Sequence, residues 1–340
     1  MISQVIRRFF FSTITLLALV TGLILSIIIA TLLEKAYGSY AARILIYNAW
    51  WFEFLWIWFS LAVLVNLFRF KMWRREKWDV VLFPFAFSTI LLGFIITKHF
   101  AIEGYLPLRE GESSDKFLSS AYYLKVKAKS GTSMTEEEYL VQPSPLEKGW
   151  RRKLALGETH LSVRINYYIP NPENPKSAEA IEVTIETGDC TRSFLLPAGK
   201  EIEDRPVTIQ CDEVEIDLGY GPKSLHLPFS LYLEDFRVER YKDSKEPSQF
   251  QSDVVIRDTQ RDLKTPYSIY MNHILRYRGY RVYQHSFDRD EKGTIFLVTR
   301  DPGTPVAYGG FFLLIVTIAF AFFHPKSRIR ELESQIRNLK

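Results

Sequence analysis

Few residues in this 340-residue sequence have the types and spacings that chemistry needs. The six histidines are His99, His160, His226, His273, His285 and His324, and none stands at a metal-ligating spacing from another His or a Cys. Ser, His and Asp all occur, but there is no GxSxG elbow, P-loop, dinucleotide fingerprint, HExxH or zinc CxxC. No catalytic residue is named from this inventory, and no metal site is expected. Cys190 and Cys211 flank FLLPAGKEIEDRPVTI, whose ends read as strand. A hairpin or a pair of neighbouring strands brings such residues within disulfide reach, and the closed loop of roughly 20 residues is worth about 3 kcal/mol in a chain-entropy treatment. A redox-active pair, or a thiol presented to a partner, is the rival reading. Glu53 and Asn66 are polar residues inside an apolar run. An ionisable group there is costly and by default functional, unless it sits high enough to reach the headgroups.

The elements that must position these residues are of two kinds. Segments 13–33, 49–68, 80–97 and 306–323 are apolar and long enough to cross a bilayer. Arg7 and Arg8 before the first of them also suit a signal peptide, but the apolar run exceeds the 7–15 residues or so of such a region and no small-x-small site follows. Arg69, Lys71, Arg74, Arg75 and Lys77 crowd the loop after the second span, and Lys326, Arg328 and Arg330 follow the fourth, whereas 34–48 holds only Lys35 and Arg43. The positive-inside rule then puts both termini and the 70–79 loop in the cytoplasm, with 34–48 and 100–305 outside the cytoplasmic membrane.

The outside region reads as an all-β domain of sandwich or barrel type. Alternating runs at 122–128, 161–167, 181–186, 207–216, 225–238, 279–285 and 294–300 are punctuated by Gly, Pro, Asn and Asp. Residues 103–116 form the outlet from span three, and 171–177 is a loop tip by its prolines. The tail, 324–340, reads as a short charged helix with one apolar stripe, lying on the membrane surface or against its neighbours. The net charge of +4 and the scatter of basic residues give no argument for a nucleic-acid partner, and none is expected. The whole is an integral membrane protein of four transmembrane helices with a large extracytoplasmic β domain.

Five stretches together resemble the ResB (CcsB) half of the System II cytochrome c assembly machinery: IYNAWWFEFLWIWFSLAVLVNLFRF at 46–70, TKHFAIEGYLPLREGES at 97–113, LPFSLYLEDFRVERY at 227–241, MNHILRYRGYRVYQHSFD at 271–288 and DPGTPVAYGGFFLL at 301–314. The resemblance implies a ResC (CcsA)-type haem-handling partner, apocytochrome c as client, a thioredoxin-like reductant, and haem as the group carried and attached. With the chain ending shortly after span four, the partner is expected to be a second chain. An alternative is an extracytoplasmic scaffold that has lost direct haem handling. Family members carry a haem-ligating histidine early in span three, where this sequence reads LFPFAF, so the matching position is Pro84. Proline has no ligating atom. His99 lies fifteen residues further on, about 22 Å along a helix, and is a weak substitute. Glu103, Arg109, Glu110 and Glu112 of the outlet, with Tyr280 and Tyr283 of the 277–287 hairpin, are expected to face a partner. The competing expectation is a network that ties the domain to the spans.

Overall fold

The computed structural model describes residues 10–37, 42–70, 78–131, 133–141, 150–156, 159–170, 178–188, 190–204, 206–242, 246–323 and 336. The tail helix expected over 324–340, the loop tip at 171–177 and most of the 70–79 loop lie outside them. The chain divides into two compact units, Met1–Ala101 with Asp301–Lys340, and Ile102–Arg300.

The first unit is helical: α1 (Thr13–Tyr37), a π-helical turn (Arg43–Tyr47), α2 (Trp50–Arg69), α3 (Trp78–Phe100) and α4 (Gly303–Phe323). All four α-helices are long and apolar enough to cross a membrane, and at most 28% of any of the four spans is buried inside the protein. Many of their large apolar side chains, among them Ile14, Leu17, Leu61, Leu92 and Phe312, are exposed. α4 begins three residues before the expected span because Asp301 caps it. Its Oδ1 accepts from the Gly303 and Thr304 amides (2.8 and 3.3 Å), and its Oδ2 from the Thr304 hydroxyl (2.7 Å). Thr97 of α3 donates to the same carboxylate at 2.8 Å. Small residues let α3 and α4 touch: a Cβ on Gly93 would lie 2.5 Å from the Ala307 amide nitrogen, and one on Gly310 2.7 Å from that of Ile90. α1, the π turn and α2 meet around Leu23, Ala30, Ile46 and Phe52.

The second unit is antiparallel throughout. In chain order its strands are β1 (Ile102–Arg109), β2 (Ser113–Ser130), β3 (Ser133–Val141), β4 (Trp150–Leu156), β5 (Thr159–Pro170), β6 (Ala178–Thr187), β7 (Cys190–Pro197) and β8 (Val207–Cys211). They continue with β9 (Val214–Arg240), β10 (Pro247–Asp258), β11 (Leu263–Ile269), β12 (Leu275–Tyr277), β13 (Tyr280–Phe287) and β14 (Gly293–Arg300). A ten-stranded sheet runs β11-β10-β9-β2-β1-β14-β13-β12, with β3 beside β2 and β8 beside β9; a second sheet runs β4-β5-β6-β7.

Two cores form because β2 and β9 are long enough to serve both. Leu124, Val126, Ile216 and Leu218 pack on Leu161, Val163, Val183 and Ile185 of the second sheet. Further along, Phe117, Leu231 and Leu233 pack with Leu106, Val254, Val282 and Phe296. Alternate residues of β9 are buried over most of its length, the period of two that a pleated strand imposes.

Three sequence expectations need correction. The run 207–216 is a hairpin rather than one strand: Asp212 turns the chain at φ 52° between β8 and β9. Conversely, 225–238 belongs to the single strand β9, which the glycines and proline at 219–222 had disguised as a break. They do not interrupt it because the segment 199–204 lies across them. The Gly199 amide donates to Tyr220 O (2.8 Å) and the Ile202 amide to Pro222 O (2.9 Å). A Cβ on Gly221 would stand 2.9 Å from the Glu201 backbone, so this close approach is what demands glycine. The outlet at 103–116 is likewise not a connector but β1, a tight turn at 110–112 and the start of β2.

Candidate functional site

Glu53, in the first turn of α2, is not a solitary charge. Its two carboxylate oxygens meet Lys98 Nζ at 2.6 Å and His99 Nε2 at 2.9 Å, both in the last turn of α3. Asn66 donates from Nδ2 to Ala62 O at 2.8 Å, while its buried Oδ1 has no partner among the described residues.

α3 begins at Trp78, so Pro84 stands inside the helix, past the first four residues whose amides lack internal partners in any case. The ring therefore removes the bond to Val80 O that a helical amide would make there. A haem iron finds no ligand at Pro84. His99 fits little better, because its Nε2, the nitrogen farther from the side-chain stem, is held by Glu53. Among the described residues, the helical unit therefore does not fit an axial ligand set for haem.

The outlet residues are engaged within the β unit. Arg109 pairs with Asp288 (3.2 Å) and with Asp290, both in the loop after β13. The hydrogen bond and charge of Asp290 raise the Arg109 pKa, and Arg109 in turn lowers that of Asp290. Glu110 Oε1 accepts the Phe236 amide at 3.0 Å, and Glu112 Oε2 accepts the Arg109 amide at 3.1 Å. Glu103 stays exposed on β1 opposite Thr299.

Tyr280 is corrected as an exposed anchor: it is 8% exposed, edge-on to Phe229, with the Arg300 guanidinium 5.5 Å from its ring centroid. Tyr283 is half-buried opposite Leu297 of β14. The structure thus joins the outlet to the β13–β14 loop and leaves one of the two tyrosines in the core.

A network absent from the sequence reading centres on Asp258. Its buried carboxylate accepts from Tyr277 Oη (2.8 Å), Arg278 Nη1 (3.1 Å) and the Gln260 amide (3.1 Å). Arg278 and Gly279, at φ 49° and 80°, make the two-residue turn of the β12–β13 hairpin and aim the guanidinium inward. The Tyr-Arg-Gly-Tyr turn was visible in sequence; its partner twenty residues upstream was not.

Cys190 and Cys211 are bonded, with Cα atoms 5.8 Å apart. The bond ties the start of β7 in the four-stranded sheet to the end of β8 in the ten-stranded one.

Of the described histidines, His226 pairs with Asp115 at 3.1 Å and the His285 ring lies 5.1 Å from Tyr105. His273 is held differently. Its Nδ1 is 2.7 Å from Ser268 O, and the rings of Tyr270 and Tyr267 stack on it at 4.5 and 5.0 Å, within 10° and 12° of parallel. Among the described residues, no three or more His, Cys, Asp or Glu side chains gather as a metal site.

Comparison with known proteins bears on this arrangement. Residues 207–297, from β8 into β14, match the ResB-like family. That span includes the 227–241 and 271–288 stretches, the Asp258 network and the hairpin. The chain is also 32% identical over 328 residues to Protein NrfI of Wolinella succinogenes, an alignment covering 96% of this chain and 36% of that protein. The chain thus spans about a third of the length of this relative. The matched segment forms the heart of the second core, and the alignment to Protein NrfI runs through both units.

Proposed function

We propose that this chain works in cytochrome c maturation, as the ResB-type membrane subunit that assists haem delivery and attachment to apocytochrome c outside the cytoplasmic membrane. The observation that carries this reading is the alignment to Protein NrfI through both the helical and the β unit, supported by the family match over 207–297. The four apolar helices fit the cytoplasmic membrane. In this reading both termini are cytoplasmic and the β unit is extracytoplasmic. A disulfide in the β unit accords with an oxidising compartment.

Haem is the cargo. Because Pro84 offers no ligand and His99 is engaged by Glu53, the intramembrane ligands come from a ResC-type partner. A thioredoxin-like reductant keeps the apocytochrome thiols available. Pro84 also favours a second reading, an extracytoplasmic scaffold that no longer touches haem.

Deleting the gene and staining membranes for covalent haem tests the reading. Loss of c-type cytochromes, restored by the wild-type chain, is expected; undiminished cytochromes in the deletion strain would refute it. The two versions separate on whether haem lost from the purified partner complex tracks substitutions in this chain.

A further inference from the structure

We propose that Arg276 and Arg281 bind the phosphate of an anionic phospholipid headgroup. In the β12–β13 hairpin the two stand directly opposite each other, Arg276 exposed and Arg281 half-buried. Opposed residues of an antiparallel pair share a face, with Cβ atoms about 5 Å apart, and like charges so placed destabilise the sheet. Neither guanidinium has an ion pair among the described residues. The two other opposed pairs of Lys and Arg in the described strands are relieved. Arg151, opposite Arg164, meets the Glu186 carboxylate at 2.5 Å, and Arg257, opposite Lys264, lies 4.4 Å from the Tyr232 ring centroid.

The register extends the row. Arg281 faces Thr299 of β14, and Thr299 faces Glu103 of β1. A hydroxyl therefore lies beside the two guanidiniums, and the carboxylate of the row stands two strand spacings from Arg281, about 10 Å away. Two cations at one end of the row are left without a countercharge beside them. Each guanidinium is a planar fork of N–H donors that matches phosphate oxygens, and two forks on one face can hold one phosphate from two sides.

Chain connectivity decides the source of that phosphate. Thr299 is two residues from Asp301, the cap of α4, and Ile102, opposite Arg300, is two residues from Phe100, the end of α3. At about 3.3 Å per residue Thr299 lies within about 7 Å of that cap, with Arg281 and Arg276 one and two strand spacings, about 5 and 10 Å, to its side. This holds whatever direction the β unit takes. Both α3 and α4 are long and apolar enough to cross a membrane, so these helix ends fall at headgroup level. Arg300, exposed at the end of β14, adds a third cation there. A dissolved anion has to be captured from solution, whereas phospholipid phosphates are held permanently at this level.

The test is a lipid titration of the purified full-length chain in detergent, read by native mass spectrometry, with phosphatidylglycerol as the anionic lipid and phosphatidylcholine as the neutral one. The wild type should retain phosphatidylglycerol in preference to phosphatidylcholine. Arg276→Gln and Arg281→Gln should each weaken that retention about fivefold, the size of one basic residue's attraction to an anionic leaflet, and the double variant should weaken it further. Arg289→Gln, which removes an exposed charge from the β13–β14 loop at the other end of β13, should leave it unchanged. Because opposed like charges repel, each of the two hairpin substitutions should hold or raise the melting temperature of the lipid-free protein. Weaker binding together with a lower melting temperature marks a merely structural role and overturns the proposal. Equal retention of phosphatidylcholine, or unchanged affinity in the double variant, overturns it too. So does displacement of the lipid by inorganic phosphate at the lipid's own concentration, which assigns the pair to a dissolved anion. An acidic protein that co-purifies with the wild type and not with the double variant, while lipid binding is the same in both, assigns it to a protein partner and equally refutes the lipid.

Discussion

Removing the Cys190–Cys211 bond, by the double substitution Cys190→Ala and Cys211→Ala, should destabilise the β unit without changing its fold. The bond closes a loop with a sequence separation of 21. For a loop of that length the lost chain entropy is about 11 cal/mol/K, or about 3 kcal/mol at 25 °C. Cys211 is 1% exposed, so deleting its sulfur also leaves a small void that adds to the loss. A unit of about 200 residues shifts its melting point by about 2–4 °C per kcal/mol, which gives a drop of about 6–12 °C. Thermal unfolding of the full-length protein in detergent, followed by near-ultraviolet circular dichroism, measures this. Reducing the wild type should reproduce the drop, because the same cross-link is lost. The double variant should still support cytochrome c maturation at low growth temperature. A variant that melts within about 2 °C of the oxidised wild type would refute the reasoning. If it also lost maturation, the pair would be redox-active rather than structural.

At Asp258, burial favours the protonated acid, but the hydrogen bonds from Tyr277 and Arg278 and the charge of Arg278 outweigh it and hold the carboxyl below the ordinary 3.8. Its contribution to stability is therefore complete above about pH 4 and is lost as pH falls through its lower native value. Urea unfolding between pH 3 and 6 should show a shallower acid decline in Asp258→Asn than in wild type, and equal slopes would contradict this. Gly93→Val should force α3 and α4 apart, since the new Cβ meets the Ala307 backbone and not a yielding side chain. A loss of about 1–3 kcal/mol, seen as a lower melting temperature, is expected, with Gly22→Val, which has nothing within 4 Å, as the unaffected control. Alkaline phosphatase fused after Ser130 should be active and after Arg75 inactive; the reverse pattern would invert the proposed orientation.

The sequence by itself determined the spans and the β character of what lies between them. Both are local signals: an uninterrupted apolar run has one low-energy place, a bilayer, and a period of two suits one backbone shape. The Lys and Arg bias, the tight turn at Arg278–Gly279 and the missing imidazole at Pro84 are equally local. What tertiary structure decided is contact between distant residues. It joined Glu53 to Lys98 and His99, Arg109 to the loop after β13, and Asp258 to Arg278. It also made one strand of 214–240, because segment 199–204 covers glycines that locally read as a break. Tyr280 illustrates the limit. Its neighbours in sequence give it a hairpin, but only the packing of Phe229 and Arg300 around it takes its ring out of reach of a partner. His273 shows the opposite case, a surface residue of the 271–288 stretch whose surroundings its sequence neighbours do not disclose. Its ring acquires a fixed tautomer and direction because the fold returns the Ser268 carbonyl and two tyrosine rings to the same turn.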